Sequence, residues 1–462
     1  MTKTNSQSST LSIPGLRSSF NGRVIVPDDA EYDKARAVFY GGIDRRPAVI
    51  IRVKNAKEVS QVILLARKSG LELAVRSGGH SVAGHSASEG GIVLDLSDMK
   101  DLQIDANQKT AWAETGLTAG EYTTTTGSHG LATGFGDTGS VGIGGITLGG
   151  GIGYLVRKHG LTIDSLLAAE VVTADGKILQ VDEKNHPDLF WAMRGGGGNF
   201  GVATRFKFQL HPVGQVYGGM LVLPCAADII ASFIGEAESA SEELSVIANV
   251  MPAPPMPFVP AEHHGKMIIF ALMVYAGDIS KGEQAMAPFR KMAAPLADML
   301  KPMSYPEIYP SEQEDYHPLA AARTMFLDRV DRSAAQTILE HLEASTASMK
   351  VTQLRVLGGA MARVPVEATA FAHRTSKIMA NLAALYEKPE EKPAHEAWVT
   401  EFEKTIQQSD KGVYVNFLAD EGEARVRAAY PGPTWKRLRE IKARYDSDNF
   451  FRLNQNIPPS GK

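Results

Sequence analysis

The residues best placed to do chemistry are Arg76-Ser77-Gly78-Gly79-His80-Ser81, which follow the strand-like run Leu71-Glu72-Leu73-Ala74-Val75. Two glycines beside a serine let successive backbone N–H groups turn towards one point, forming a nest for a phosphate or pyrophosphate. His80 follows at once, so an imidazole stands beside the anion site, able to contact a cofactor there or bond covalently to it. His85 lies five residues on and can share the site.

Two further glycine clusters bear on the same question. Gly142-Ile143-Gly144-Gly145-Ile146-Thr147-Leu148-Gly149-Gly150-Gly151-Ile152-Gly153-Tyr154 spends about 0.5–1 kcal/mol per glycine relative to alanine in any regular element, a cost that a ligand lying on the backbone would justify. Large apolar residues between the glycines argue against a solvated linker. Gly196-Gly197-Gly198-Asn199-Phe200-Gly201 matches G-x-G-x-x-G in letters only. A dinucleotide fingerprint follows a strand and opens a helix, whereas here a helical stretch precedes and a strand follows. The expectation is a tight turn near a cofactor.

Near the end stands Tyr414-Val415-Asn416-Phe417. On a strand, Tyr414 and Asn416 share one face, where a phenol and an amide orient a substrate and accept its proton; the bland alternative is an ordinary edge strand. Gln353 and Arg355 alternate on a predicted strand and face either a ligand or water. Amides such as Asn454 and Asn456, set among apolar residues, point to buried groups with specific partners. No G-x-S-x-G elbow supports a hydrolase; Gly139-Ser140-Val141-Gly142 comes nearest and lacks the spacing. His159, His263, His264 and His373 show no metal-ligand spacing, so no metal is expected.

The elements that must hold these residues alternate between strand and helix as far as His211. Pro47–Val53, Leu71–Val75 and Gly91–Leu96 read as strands. Asn55-Ala56-Lys57-Glu58 and Thr118-Ala119-Gly120-Glu121 read as capping boxes opening helices that stop near Gly70 and Gly130. Asp175-Gly176 reads as a hairpin turn. After Pro212 the texture changes to predicted strands at Met267–Tyr275 and Met349–Leu357 and helices such as Arg332–Thr346, a second unit of antiparallel sheet with covering helices.

The 462-residue chain has 22% charged residues and a net charge of -4, which gives no reason to expect nucleic acid or an anionic membrane as partner. Its single cysteine, Cys225, excludes an internal disulfide and fits a cytoplasmic setting. Met1–Thr10 is polar and Ser/Thr-rich with no apolar signal core. Oligomeric state is not legible.

Val75–Ser81, Gly149–Tyr154, Gly198–Val202 and the terminal Tyr445–Pro459, in this order, resemble the vanillyl-alcohol-oxidase/p-cresol-methylhydroxylase flavoprotein superfamily, most closely its berberine-bridge-enzyme-like branch. The resemblance implies an α+β fold: a flexible tail over 1–20, a bipartite FAD-binding domain from 21–212 and 411–462, and an inserted substrate domain over 213–410. It implies FAD bonded through its 8α-methyl to His80, with Ser77, Gly78, Gly79 and Ser81 at the pyrophosphate. Arg76, His85, Ser86, Thr138, Gly142, Gly145, Gly149, Gly150, Gly153, Val202, Asn454 and Asn456 complete the expected cofactor set. Doubly anchored relatives carry a cysteine where this chain has Thr138, so one covalent link is expected. Val141 matches the position that gates oxygen over the flavin, and its modest size resembles the oxidases. The implied activity is hydride transfer from an alcohol or amine C–H of a small organic substrate to flavin N5, with Tyr414 as base and Asn416 beside it; the strand alternation adds Gln353 as a candidate facing the ring. O2 would be the acceptor, giving H2O2; a dehydrogenase or a natural-product tailoring oxygenase or cyclase is the alternative.

Overall fold

A computed structural model describes residues 11–309 and 316–461. Among the described residues three large sheets organise the chain, beside a two-stranded ribbon of Leu131–Ala132 with His211–Pro212. The first has Ile92–Asp95 at its centre, paired in parallel with Val49–Arg52 and Leu73–Arg76; Val24–Ile25 adds an antiparallel edge to Val49–Arg52. Every residue of Ile92–Asp95 is buried, as a parallel strand covered on both faces requires. The second sheet is antiparallel, with Val202–Gln209 in the middle and Leu166–Val172 and Ile178–Val181 joined through the Asp175-Gly176 turn.

The helix starts follow the local chemistry. Thr118 and Glu121 form the full reciprocal box, at 3.2 Å and 2.9 Å. Asn55 accepts from the Glu58 N–H at 3.0 Å, but Glu58 turns its carboxylate to the Lys54 N–H and to Arg23. The expected second box is therefore half made, because a guanidinium outbids the backbone N–H of Asn55. Met1–Thr10 lies outside the described residues. The expectation of a flexible tail as far as residue 20 is corrected: Ile13–Ser19 is helical, Leu11 and Leu16 pack on the first sheet's core, and Phe20 is buried. These spaced apolar side chains anchor the segment.

Residues 215–386 build an eight-stranded antiparallel sheet. Helices Ala227–Ser239, Arg332–Ala344 and Lys392–Ile406 share its core on one face. Alternation along Met349–Val356 sends Leu354 and Val356 into that core and leaves Gln353 and Arg355 for the opposite face. The chain then returns: Val413, Leu418, Trp435, Leu438 and Ile457 enter the same core as Phe206 and Phe208 of the second sheet.

Lys442 secures this return. It is fully buried, and its ammonium donates to the Asn199 carbonyl at 2.6 Å, the Phe451 carbonyl at 2.9 Å and Asp446 at 2.6 Å. Burial draws its pKa down, against the pull of Asp446. Asn199 adds a second tie, donating to Gln455 O at 3.0 Å and accepting from Ile457 N–H at 2.9 Å. Replacing Lys442 with Met leaves Asp446 buried without its cation. We expect a loss of about 3–5 kcal/mol in denaturant unfolding, and a loss within 0.5 kcal/mol of zero would show the tie to be dispensable.

Candidate active site

The glycine loops meet backbone to backbone. A Cβ on Gly78 would overlap the backbone nitrogen of Gly142, and a Cβ on Gly142 would overlap that of Gly78. With both side chains absent, Ser77 Oγ donates to Thr115 O at 2.5 Å and accepts from Gly144 N–H at 3.3 Å. His80 comes within 2.9 Å of Ser140 Oγ through Nε2, and its ring stacks on Phe39 at 4.2 Å between centroids.

These loops wall a cavity of about 440 Å³ that reaches the eight-stranded sheet. Ser77, Gly78, Gly79, His80 and Ser81 line it, as do His85, Ser86, Thr138, Val141 and Gly142. Gly145, Val202 and Asn454 line it too, and Gln353, Arg355, Tyr414 and Asn416 close one end. Gly145 and Gly198 face open space where a Cβ would stand, so they leave room for a ligand to approach the backbone. Ser86 Oγ and Asn454 Oδ1 are buried without a partner among the described residues, which leaves a donor and an acceptor unspent on the wall. A narrow glycine cradle with unspent polar groups fits a dinucleotide.

Five expected residues stand elsewhere. Arg76 is buried in an ion pair with Asp95 at 2.8 Å, holding the sheet rather than lining the cavity. Gly149, Gly150 and Gly153 permit close packing against Asn416, Phe371 and the Phe135 carbonyl, and Asn456 is absent from the lining. The strand expected at Tyr414–Phe417 is corrected to a single 3-10 turn over Val415–Phe417, entered by an extended Tyr414. The phenol oxygen is held from three sides. It accepts from Gly151 N–H at 2.9 Å, Ile152 N–H at 3.2 Å and Asn416 Nδ2 at 2.9 Å. Burial raises the Tyr414 pKa while these three donors oppose the rise. Asn416 also donates to Ile146 O at 3.0 Å.

Phe39, Tyr40, Asp137 and Gln455 line the cavity without having been singled out from the sequence. Phe39-Tyr40-Gly41-Gly42, an aromatic pair before two glycines, was a usable local signal. Asp137 had none, since its partner Arg355 is 218 residues away and reaches it at 2.7 Å. Burial, with Asp137 nearby, pushes the Tyr40 phenol up to about 12, and burial lowers His85 to about 4, so both stay neutral near pH 7. Cys225 is absent from the wall; burial pushes its thiol up to about 12. Among the described residues no His, Cys, Asp or Glu cluster has the makings of a metal site, and no helix is long and apolar enough to cross a membrane.

Residues 47–182 match the FAD binding domain family, and residues 413–458 match the berberine and berberine-like family. The chain is 31% identical over 458 residues to the uncharacterized FAD-linked oxidoreductase YgaK of Bacillus subtilis, covering 96% of this chain and 98% of that one. It is 28% identical to the (R)-6-hydroxynicotine oxidase of Paenarthrobacter nicotinovorans, over 96% and 98% of the two chains. The solved structure of 6-hydroxy-D-nicotine oxidase from Arthrobacter nicotinovorans superposes with a TM-score of 0.86 at 26% identity, covering 98% of this chain and 100% of that one.

The two kinds of glycine respond oppositely to substitution. Gly145→Val fills open cavity on a short helix, so we expect thermal stability to hold while bound flavin per chain falls below half. Gly78→Ala should instead destabilise the fold by about 1–3 kcal/mol through overpacking. Paired melting and flavin-absorbance measurements check both, and equal flavin loss without destabilisation in both variants would contradict the distinction.

Proposed function

Because the chain belongs to the FAD-linked oxidoreductases with a berberine-like C-terminal segment, we propose that it is an oxidase carrying FAD through a single histidyl bond at His80 and acting on an alcohol or amine C–H of a small organic substrate. The observation that carries this reading is one cavity with His80 against a glycine cradle and a polar end formed by Gln353, Arg355 and Asp137. FAD, when bound, supplies a two-electron acceptor for the substrate hydride that dioxygen can discharge as hydrogen peroxide.

The chain's own residues hold and orient. Ser140 at Nε2 and Phe39 against the ring face fix the His80 imidazole, and a hydrogen bond at one ring nitrogen decides which nitrogen carries the proton. The Ser77–Ser81 backbone and Gly142 hold the diphosphate, while Gly145, Gly198, Val202 and Asn454 take the remaining length of the cofactor. Thr138 offers no thiol, which supports one covalent bond rather than two. Val141 leaves the approach for oxygen open.

Tyr414 is the first candidate that the sequence offers for the proton acceptor. Three N–H donors already occupy its oxygen, so we assign it to holding the Gly151–Ile152 backbone, with Asn416 as its brace. The substrate proton then goes to another acceptor at the polar end of the cavity. The (R)-6-hydroxynicotine oxidase likeness supports an oxidase acting on a small molecule.

Acid precipitation of the purified protein should leave yellow colour with the chain, and His80→Ala should release it to the supernatant. Reduced enzyme should reoxidise in air within seconds and give one hydrogen peroxide per flavin. Colour that washes out of the unsubstituted protein would remove the covalent bond, and reoxidation over minutes would favour a dehydrogenase.

A further inference from the structure

The polar end of the cavity holds one pair of opposite charges. Among the described lining residues Arg355 is the only Lys or Arg, and Asp137 the only Asp or Glu. The two differ in what they have left to offer. Arg355 Nη2 donates to Asp137 Oδ2 at 2.7 Å and to Gln353 Oε1 at 2.8 Å; Nε donates to the same Gln353 oxygen at 3.0 Å, and Nη1 to Ile152 O at 3.1 Å. Four of about five guanidinium N–H donors are thus engaged. The Phe417 ring covers the guanidinium at 5.0 Å, and Gln353 is itself fixed by Asn249, to which it donates at 3.1 Å. The Arg355 side chain is only 4% exposed.

Asp137 keeps an opening. Its side chain is 18% exposed and lines the cavity, Oδ2 is held by Arg355, and no partner among the described residues engages Oδ1. A carboxylate oxygen accepts only. The same cavity is lined by apolar and aromatic side chains, Phe39, Tyr40, Val141, Ile152 and Phe417, beside polar ones such as Thr138 and Gln353. The cation is spent inward while the anion presents an acceptor outward.

We propose that the Asp137–Arg355 pair determines substrate specificity: Asp137 Oδ1 receives the O–H or N–H of a neutral or cationic alcohol or amine with an apolar body, and the engaged Arg355 excludes carboxylates. This rests on the reading of the cavity as the FAD and substrate site, and it narrows that reading to donor-bearing substrates without an acidic group. Asp137 is the specificity residue, and Arg355 positions it. Gln353 completes the device by filling the guanidinium edge that a substrate carboxylate would otherwise take as a two-point partner.

Benzylamine, benzyl alcohol and benzoate serve as probes of one size and three charges. Each is titrated into the flavin-loaded protein at neutral pH, read by flavin absorbance and by calorimetry. Benzylamine should bind at least about tenfold more tightly than benzoate. Asp137→Asn frees an uncompensated guanidinium, so benzoate should gain at least about tenfold and the order should reverse. Asp137→Asn combined with Arg355→Gln removes both charges and should erase the difference between benzylamine and benzoate; it also reads the proposal if the single variant fails to fold. The proposal is overturned if benzoate matches benzylamine on the unsubstituted protein, if Asp137→Asn leaves their ratio unchanged, or if none of the probes binds at millimolar concentration. A preparation without flavin would instead sink the cofactor reading, and calorimetry on that protein would still report the charge preference.

Discussion

The site depends on two polypeptide backbones touching where neither has a side chain. Gly78 and Gly142 lie so close that a methyl group on either would collide with the other. That contact draws the Ser77–Ser81 loop against the Gly139–Gly145 loop. It puts Ser77 Oγ between Thr115 and Gly144, and it brings Ser140 to the His80 imidazole. A histidine on a mobile loop would be a poor anchor. Phe39 and Ser140 hold His80 on two sides, a support that suits the proposed bond to a rigid ring.

The contact between loops also depends on what stands behind it. Arg76 and Asp95 pin the strand that delivers the Ser77 loop. Thr115 fixes the other side by donating to Ala203 O at 2.8 Å. On the far wall the Gly197–Asn199 turn is lashed to the last segment by Asn199 and Lys442. Chemistry-bearing residues therefore come from four distant stretches, near 80, 140, 355 and 415. The charge device at Asp137 and Arg355 spans the join between the cofactor-lining loops and the large sheet, where each lobe supplies one charge.

What the sequence made legible was what neighbours in the chain determine. Ser77-Gly78-Gly79-His80 carries its chemistry in adjacent letters, and it lines the cavity. Thr118 and Glu121 find each other because a helix start puts them within reach. The hairpin at Asp175-Gly176 and the alternation of Gln353 and Arg355 rest on equally local rules. Tyr414-Val415-Asn416 differs for the opposite reason: its phenol is tied to Gly151 and Ile152, more than 260 residues away, and no local spacing records those partners. Gly149, Gly150 and Gly153 pack closely against Asn416, Phe371 and Phe135 across the fold, partners that no local spacing reveals. Asp137 was silent because its meaning lies in Arg355.

The lashing of Asn199 by residues 442–457 makes the last segment a point of vulnerability to proteolysis. Without those residues the wall of the cradle that Asn454 and Gln455 supply does not exist. A cut before Lys442 therefore removes one wall of the cradle together with the tie that holds it, so a single cleavage strikes stability and dinucleotide retention at once.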